Sequence, residues 1–138
     1  MQFSLEYDMD TSILALELMQ ANDLSPVGRE TSPSPYVIVR LLPDMSNYLQ
    51  TRVHRQTRSP FLDERFIFDV GWSQLASRTV QMKIYHENGD ASRRDDCIGL
   101  ITVPLDQLDL TTKCLLCKGI SPDDKQVLLL SYYYYYYY

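Results

Sequence analysis

The chain has 138 residues, of which 45% are hydrophobic and 22% are charged, and its formal net charge is −5. This length fits one domain, and a chain of this size buries roughly 70% of its unfolded surface, so folding needs neither a metal nor a disulfide. The acidic balance argues against a surface that binds nucleic acids generally, although it allows a local basic patch. We therefore expect one globular domain with no nucleic-acid partner.

Three cysteines, Cys97, Cys114 and Cys117, are present. This small, odd number favours a reducing cytosolic compartment over a secreted disulfide scaffold. Cys114 and Cys117 form one C-x-x-C pair, whereas a structural zinc site usually needs two such pairs, so we interpret residues 114–117 as a half-buried strand. No apolar run reaches the ~18 residues of a membrane span, and the N-terminus lacks the pattern of a signal peptide. Any membrane contact is therefore expected to be peripheral.

Short strand patterns separated by turns follow one another along the chain, and helical periodicity is scarce. Apolar and polar residues alternate at 3–7, and further strands are predicted at 13–19, 36–42, 51–55, 66–70, 80–85, 98–103 and 126–131. One helical turn is predicted at 72–77. The pattern indicates an all-β, eight-stranded antiparallel β-sandwich with Greek-key connections, covering residues 1–131. Residues 132–138 are all tyrosine, which we interpret as an artificial tail.

Two long polar segments, residues 23–35 and 86–96, interrupt the strand pattern. The first carries three prolines and a glycine, and the second is rich in charged residues. Loops of about this length in a small domain are usually functional or mobile. Both are expected to project from the same end of the sandwich, which makes that end the first place to look for a site.

Several segments together resemble the first C2 domain of the synaptotagmin family. The most informative is Ser34-Pro35-Tyr36 with the strand that follows it, up to Asp44. Residues 3–8, 21–24, 51–57, 59–64, 98–99 and 103–105 match other segments of that domain in the same order and spacing. The resemblance runs from about Phe3 to Asp109. It implies a membrane-docking module whose loops, in typical members, hold calcium between aspartates.

The resemblance also shows where calcium ligands should lie, and most of those positions lack a carboxylate. The implied ligand positions are Gly28, Ser34, His86, Asn88 and Asp96, and only Asp96 is acidic. Calcium takes about six to eight oxygen ligands, several of them charged, and a neutral histidine is a poor ligand for it. We therefore expect no metal and no cofactor. By the same resemblance, residues 23–35 correspond to the first calcium loop of a C2 domain and residues 86–96 to the third. The alternative is a calcium sensor with a rearranged third loop, in which five acids converge: Glu30, Glu87, Asp90, Asp95 and Asp96.

Basic residues provide a second candidate surface. By resemblance, residues 45–58 correspond to a polybasic strand that binds phosphoinositides or partner proteins, and Arg52, His54, Arg55 and Arg58 lie there. If 51–55 is a strand, Arg52, His54 and Gln56 share one face and Arg55 points the other way. Arg93 and Arg94 in the third loop, with Pro26, Val27 and Arg29 in the first, are placed to touch anionic lipid weakly. The alternative is an exposed strand whose charges prevent edge pairing.

These observations predict a calcium-independent C2 module of a synaptotagmin-like protein in membrane trafficking or exocytosis. It would act at the cytoplasmic face of a vesicle or plasma membrane, as part of a longer protein. The expected partners are proteins of the vesicle-fusion machinery or another C2 domain, with weak binding to acidic phospholipid. We find no catalytic constellation and expect no enzyme. The alternatives are the calcium-dependent phospholipid sensor described above and a pure scaffold or dimerisation module.

Overall fold

Two four-stranded antiparallel sheets pack face to face in the computed structural model, which describes residues 1–26 and 32–122. One sheet has the strand order β5-β2-β1-β8 and the other β4-β3-β6-β7. The strands are β1 (Gln2–Asp8), β2 (Ile13–Gln20), β3 (Pro35–Leu42), β4 (Leu49–Gln50), β5 (Phe61–Asp69), β6 (Thr79–His86), β7 (Asp96–Pro104) and β8 (Cys114–Cys117). The predicted eight-stranded antiparallel β-sandwich is confirmed.

The strands bury one face against the opposite sheet, and β6 shows the alternation most clearly. In β6, Val80, Met82 and Ile84 are buried, while the residues between them are only half-buried. The inward side chains of both sheets form one continuous hydrophobic core. Its most deeply buried members come from six of the strands and from the connection after η1; they include Phe3, Leu5, Leu14, Leu16, Val37, Val39, Leu62, Met82, Ile101 and Leu110. Here η1 is a 3-10 turn, Leu105–Gln107, that follows β7.

The segment 114–117 is a strand, as the sequence predicted, and β8 pairs with β1 to complete its sheet. Cys114 lies opposite Leu5 and Cys117 opposite Gln2. Residues three apart on a strand point to opposite faces, so the two thiols diverge. Cys114 packs against the core and Cys117 is exposed. The C-x-x-C pair therefore cannot form one edge of a metal site without breaking the strand.

The predicted strand at 51–55 is wrong, because β4 contains only Leu49 and Gln50. The β3–β4 strand pairing stops at Thr51, which bonds Val37 through its side chain as well as its backbone. The Thr51 N–H donates to the Val37 carbonyl at 2.9 Å, and its buried hydroxyl accepts the Val37 N–H at 2.9 Å. Beyond this anchor the chain leaves the sheet and crosses to β5. A shared strand face for Arg52, His54 and Gln56 is therefore wrong as well.

The remaining local predictions have different outcomes. The helical turn at 72–77 is confirmed as α1 (Trp72–Leu75). The predicted strand at 126–131, the end of the domain and the tyrosine tail lie outside the described residues, as do Val27 and Arg29 of the first loop.

The two long loops leave the sandwich at the same end, as predicted. The described end of the first loop, residues 32–34, leads into Pro35 of β3, and the third loop, residues 87–95, follows His86 of β6. Pro35 pairs with His86, and His86 pairs with Asp96 at the start of β7. Within the described residues, no helix is long and apolar enough to span a membrane.

Candidate functional site

A direct hydrogen bond joins two of the positions where the resemblance implies calcium ligands. The Ser34 N–H donates to Nδ1 of His86 at 2.9 Å, and the Glu87 N–H donates to the Ser34 carbonyl at 3.0 Å. Ser34 is 7% exposed and His86 is 4% exposed. An N–H donated to Nδ1 requires that nitrogen to be unprotonated. Ser34 and His86 therefore close the space between the two loops as neutral, packed groups.

The Ser34 hydroxyl has a structural task of its own. Its Oγ accepts the Gln56 N–H at 3.1 Å, and Gln56 has a left-handed φ of 47°. Two neighbouring bonds hold the same region: the His54 N–H donates to the Pro35 carbonyl at 2.9 Å, and the Thr57 N–H to the Pro33 carbonyl at 2.8 Å. The basic segment, residues 51–58, is thereby fixed against the end of the first loop.

Asp95, an acid of the third loop, is engaged through both carboxylate oxygens. Its Oδ2 accepts the Tyr36 hydroxyl at 2.5 Å, and its Oδ1 accepts the Asn88 N–H at 3.3 Å. Burial, and then the hydrogen bond to Asp95, raise the pKa of the Tyr36 hydroxyl well above its ordinary value. The phenol therefore stays protonated and continues to donate to the carboxylate. Tyr36 was not recognised as a site residue in the sequence, where it is only one member of a strand.

Two other acids of the third loop, Asp90 and Glu87, also have partners within the protein. Asp90 Oδ1 accepts the Ser92 hydroxyl at 2.7 Å and the Ser92 N–H at 2.9 Å, and these bonds lower the pKa of Asp90. Glu87 forms an ion pair with Arg55 of the basic segment. Each carboxylate is thus directed to a different partner.

Asp96, the aligned acid, lies exposed at the start of β7 opposite His86. Across residues 1–26 and 32–122, no three or more His, Cys, Asp or Glu side chains are grouped so that they could hold a metal ion. Gly28 and Glu30 lie outside those residues. The described part of the site thus presents two neutral groups and several dispersed acids, which is a poor match to the donor set that calcium needs.

The arginines of the basic segment and of the third loop are all exposed, and two of them also bond within the fold. Arg55 is paired with Glu87, and the Arg58 Nε donates to the Leu24 carbonyl at 2.8 Å. Arg52, Arg93 and Arg94 have exposed side chains. Arg52 is on the basic segment, whereas the other two are in the third loop. The basic segment and the third loop meet through the Arg55–Glu87 ion pair.

His54 adds little charge to this surface. Its Nε2 is buried and has no hydrogen-bond partner among residues 1–26 and 32–122, and the ring is only half-buried overall. Burial, and then the nearby Arg52 guanidinium, lower the pKa of His54 from its ordinary 6.5. The imidazole is therefore neutral near pH 7. The positive potential of the basic segment comes from its arginines.

This fold and the loop-bearing end define a C2-type β-sandwich. A family model described as C2 domain matches residues 12–117, which is most of the chain. The chain belongs to the C2 domain family. More particularly, its sequence is similar to those of synaptotagmins. Synaptotagmin-2 of Mus musculus is 38% identical over 110 residues, covering 80% of this chain and 26% of that protein. Synaptotagmin-1 of Caenorhabditis elegans is 34% identical over 127 residues, covering 91% of this chain and 28% of that protein.

Solved structures show the same fold. A C2 domain of RIM from Drosophila superposes with a TM-score of 0.72 at 25% identity, over 84% of this chain and 95% of that one. The third C2 domain of the KIAA1228 protein gives a TM-score of 0.79 at 23% identity, over 89% of this chain and 87% of that one. The chain spans about a quarter of the length of the two synaptotagmins it matches.

Proposed function

We propose that this domain is a calcium-independent docking module of a synaptotagmin-like membrane-trafficking protein. Its similarity to synaptotagmins over most of the chain supports a role in trafficking or exocytosis. It would work at the cytoplasmic face of a vesicle or plasma membrane. Its partners would be proteins of the vesicle-fusion machinery or another C2 domain, and it would bind rather than catalyse.

The observation that carries calcium independence is the engagement of the loop acids with protein donors. Asp95 bonds Tyr36 and Asn88, while Glu87 pairs with Arg55. A calcium site would need these carboxylates to turn toward one common point, in competition with these contacts. Calcium affinity follows the number and charge of converging oxygen ligands, so dispersed and occupied carboxylates give little affinity.

Weak binding to acidic phospholipid is supported by the exposed arginines. Each basic residue near an anionic membrane surface contributes about 1 kcal/mol. Arg52, Arg93 and Arg94 are exposed at the loop end, whereas Arg55 is partly neutralised by Glu87. Asp90 and Asp96 lie close to the third-loop arginines in sequence and oppose their attraction. Because these acids offset part of the attraction of the arginines, we expect lipid binding to be weaker than binding to protein partners.

Liposome co-sedimentation tests this proposal. We expect modest binding to vesicles that contain phosphatidylserine and phosphoinositide, none to phosphatidylcholine vesicles, and less than about a twofold change between chelator and about 1 mM calcium. Arg52→Glu should weaken binding about threefold to tenfold, because it reverses one charge near the surface. Lys113→Glu is the matched control, since its exposed charge lies beside Glu17 and away from both loops.

Three results would change the proposal. A strong rise in binding with calcium would identify a calcium-dependent phospholipid sensor. No lipid binding under any condition would leave a pure scaffold. Equal binding by wild type and Arg52→Glu would remove the basic segment from the membrane contact.

A further inference from the structure

Strand β5 lies at the edge of its sheet, and one side of it has no strand partner among residues 1–26 and 32–122. The Val70 N–H donates to the Ser12 carbonyl across the β2–β5 ladder at 3.2 Å. Backbone groups of alternate residues on an antiparallel strand point to the same side, and the register is regular from residue 65 to 69. Residues 65, 67 and 69 therefore present their N–H and C=O groups to the open side.

The side chains of the same three residues are exposed on the outer face of the sheet. Ile67 is 54% exposed, while Phe66 and Phe68 between them turn toward the core. Arg65 and Asp69 flank Ile67 at equal spacing with opposite charges. Arg65 makes a 3.4 Å contact with Glu17, but its side chain stays 60% exposed. The open edge thus carries an apolar residue between a cation and an anion.

When two copies of this strand run antiparallel, the cation of each copy faces the anion of the other. We infer that two copies of this domain associate through antiparallel pairing of their β5 strands, with Ile67 on the two-fold axis. Ile67 would face Ile67 of the second copy, and each Arg65 would face the other copy's Asp69. Residues 65, 67 and 69 all direct their backbone N–H and C=O groups to the open side. They would therefore form hydrogen-bonded pairs with the facing residues of the second copy. Opposite charges directly across strands stabilise such pairing.

Charged residues on an edge strand often serve only to prevent pairing with another chain. In β5 this simpler interpretation fits the first part of the strand. Asp63 has a φ of 46° beside a register shift, and Glu64 accepts the Arg52 N–H at 3.0 Å. That end is therefore bent and covered. From Arg65 onward the strand is regular, and its two charges differ in sign, so they attract a second copy in antiparallel alignment rather than repel it.

The surface beside this edge also suits a partner strand. A groove of about 430 Å³ lies between the β4 and β5 edges, and its lining combines Tyr48, Leu49 and Ile67 with the charged residues Asp44, Asp69 and Arg78. Tyr48 is 53% exposed and Leu49 is 36% exposed. A second copy on the open edge would cover part of this mixed surface. The contact would still be small, so we expect a weak dimer of the kind formed by interfaces below about 1,200 Å².

Sedimentation velocity of the full chain, from about 10 µM to about 1 mM, tests this pairing. The mean mass of the wild type should rise toward the dimer. Arg65→Asp alone and Asp69→Arg alone each place like charges across the axis twice, and each should weaken the dimer at least about tenfold. An equimolar mixture of these two variants should dimerise again, because every cross-pair is then opposite in charge. The double variant Arg65→Asp/Asp69→Arg should also dimerise.

Asp106→Arg, on the exposed surface of η1, is the control for net charge and should leave the dimer unchanged. A wild type that stays monomeric at about 1 mM would overturn the inference. So would a dimer that survives both single variants, or a mixture that stays monomeric while each variant is folded by circular dichroism. The assay contains no lipid, so its failure leaves the proposed membrane role untouched.

Discussion

Replacing His86 with alanine is expected to lower the free energy of unfolding by about 2–4 kcal/mol. The ring is 4% exposed and its Nδ1 accepts the Ser34 N–H. The substitution leaves a cavity and also leaves a buried backbone donor without its acceptor. Both effects act at the base of the two long loops, so amide exchange at Ser34 and Gln56 should accelerate as well. Urea denaturation gives the stability change.

His86→Asn is the matched control, because an asparagine side-chain oxygen can accept a hydrogen bond near the position of Nδ1. We expect it to lose less than half as much stability as His86→Ala. If the two variants were equally destabilised, the Ser34 hydrogen bond would not be the reason for the loss. If neither were destabilised, His86 would have no structural role at the loop base.

Gly99→Ala is expected to cost about 1–3 kcal/mol through overpacking. A Cβ at Gly99 would overlap the Ile120 Cγ2 methyl and lie 3.3 Å from the Ser121 carbonyl oxygen. Leu100 and Ser121 exchange two backbone hydrogen bonds, of 2.8 and 3.1 Å, which hold residues 118–122 against β7. The added methyl would push this segment outward. Denaturation and amide exchange at Leu100 and Ser121 would both record the change.

Gly71→Ala is the control for glycine removal itself, since nothing lies within 4 Å of its added Cβ. It should change stability by less than about 0.5 kcal/mol. Adding Ile120→Ala to Gly99→Ala should relieve part of the clash, with a coupling of at least about 0.5 kcal/mol. Simple additivity of the two substitutions would contradict the proposed contact.

The sandwich was predictable because its strands are half-buried and alternate with period two. β6 is the clearest case, since its buried and half-buried residues alternate along its whole length. The segment after Gln50 was not predictable in this way. Its composition is that of a strand, but the Thr51 hydroxyl ends the ladder by taking the Val37 N–H. Tertiary hydrogen bonds decided where this strand stops, and local propensity cannot report them.

The loop end was predictable in place but not in detail. The sequence placed both long loops at one end and identified Ser34 and His86 as neutral substitutions. It could not show that these two residues bond each other, because 52 positions separate them. The same holds for Tyr36 and Asp95, which are 59 positions apart. Alternation shows which face a side chain occupies, and only the fold shows what it meets there.

These contacts are the physical basis of the proposed calcium independence. Ser34 and His86 are joined by a hydrogen bond at the loop base, and Asp95 accepts the Tyr36 hydroxyl. In the described residues 32–36 and 86–95, these bonds are made by protein groups alone. If the proposed calcium-independent role is right, the domain would act through the exposed arginines and through surfaces such as the β5 edge.

Isothermal titration of the full chain with calcium tests this account most directly. We predict no binding heat that fits a dissociation constant tighter than about 1 mM, and no change in thermal stability on adding calcium or a chelator. A dissociation constant below about 100 µM would contradict the account, because it would require the third-loop acids to leave their partners and converge on one ion.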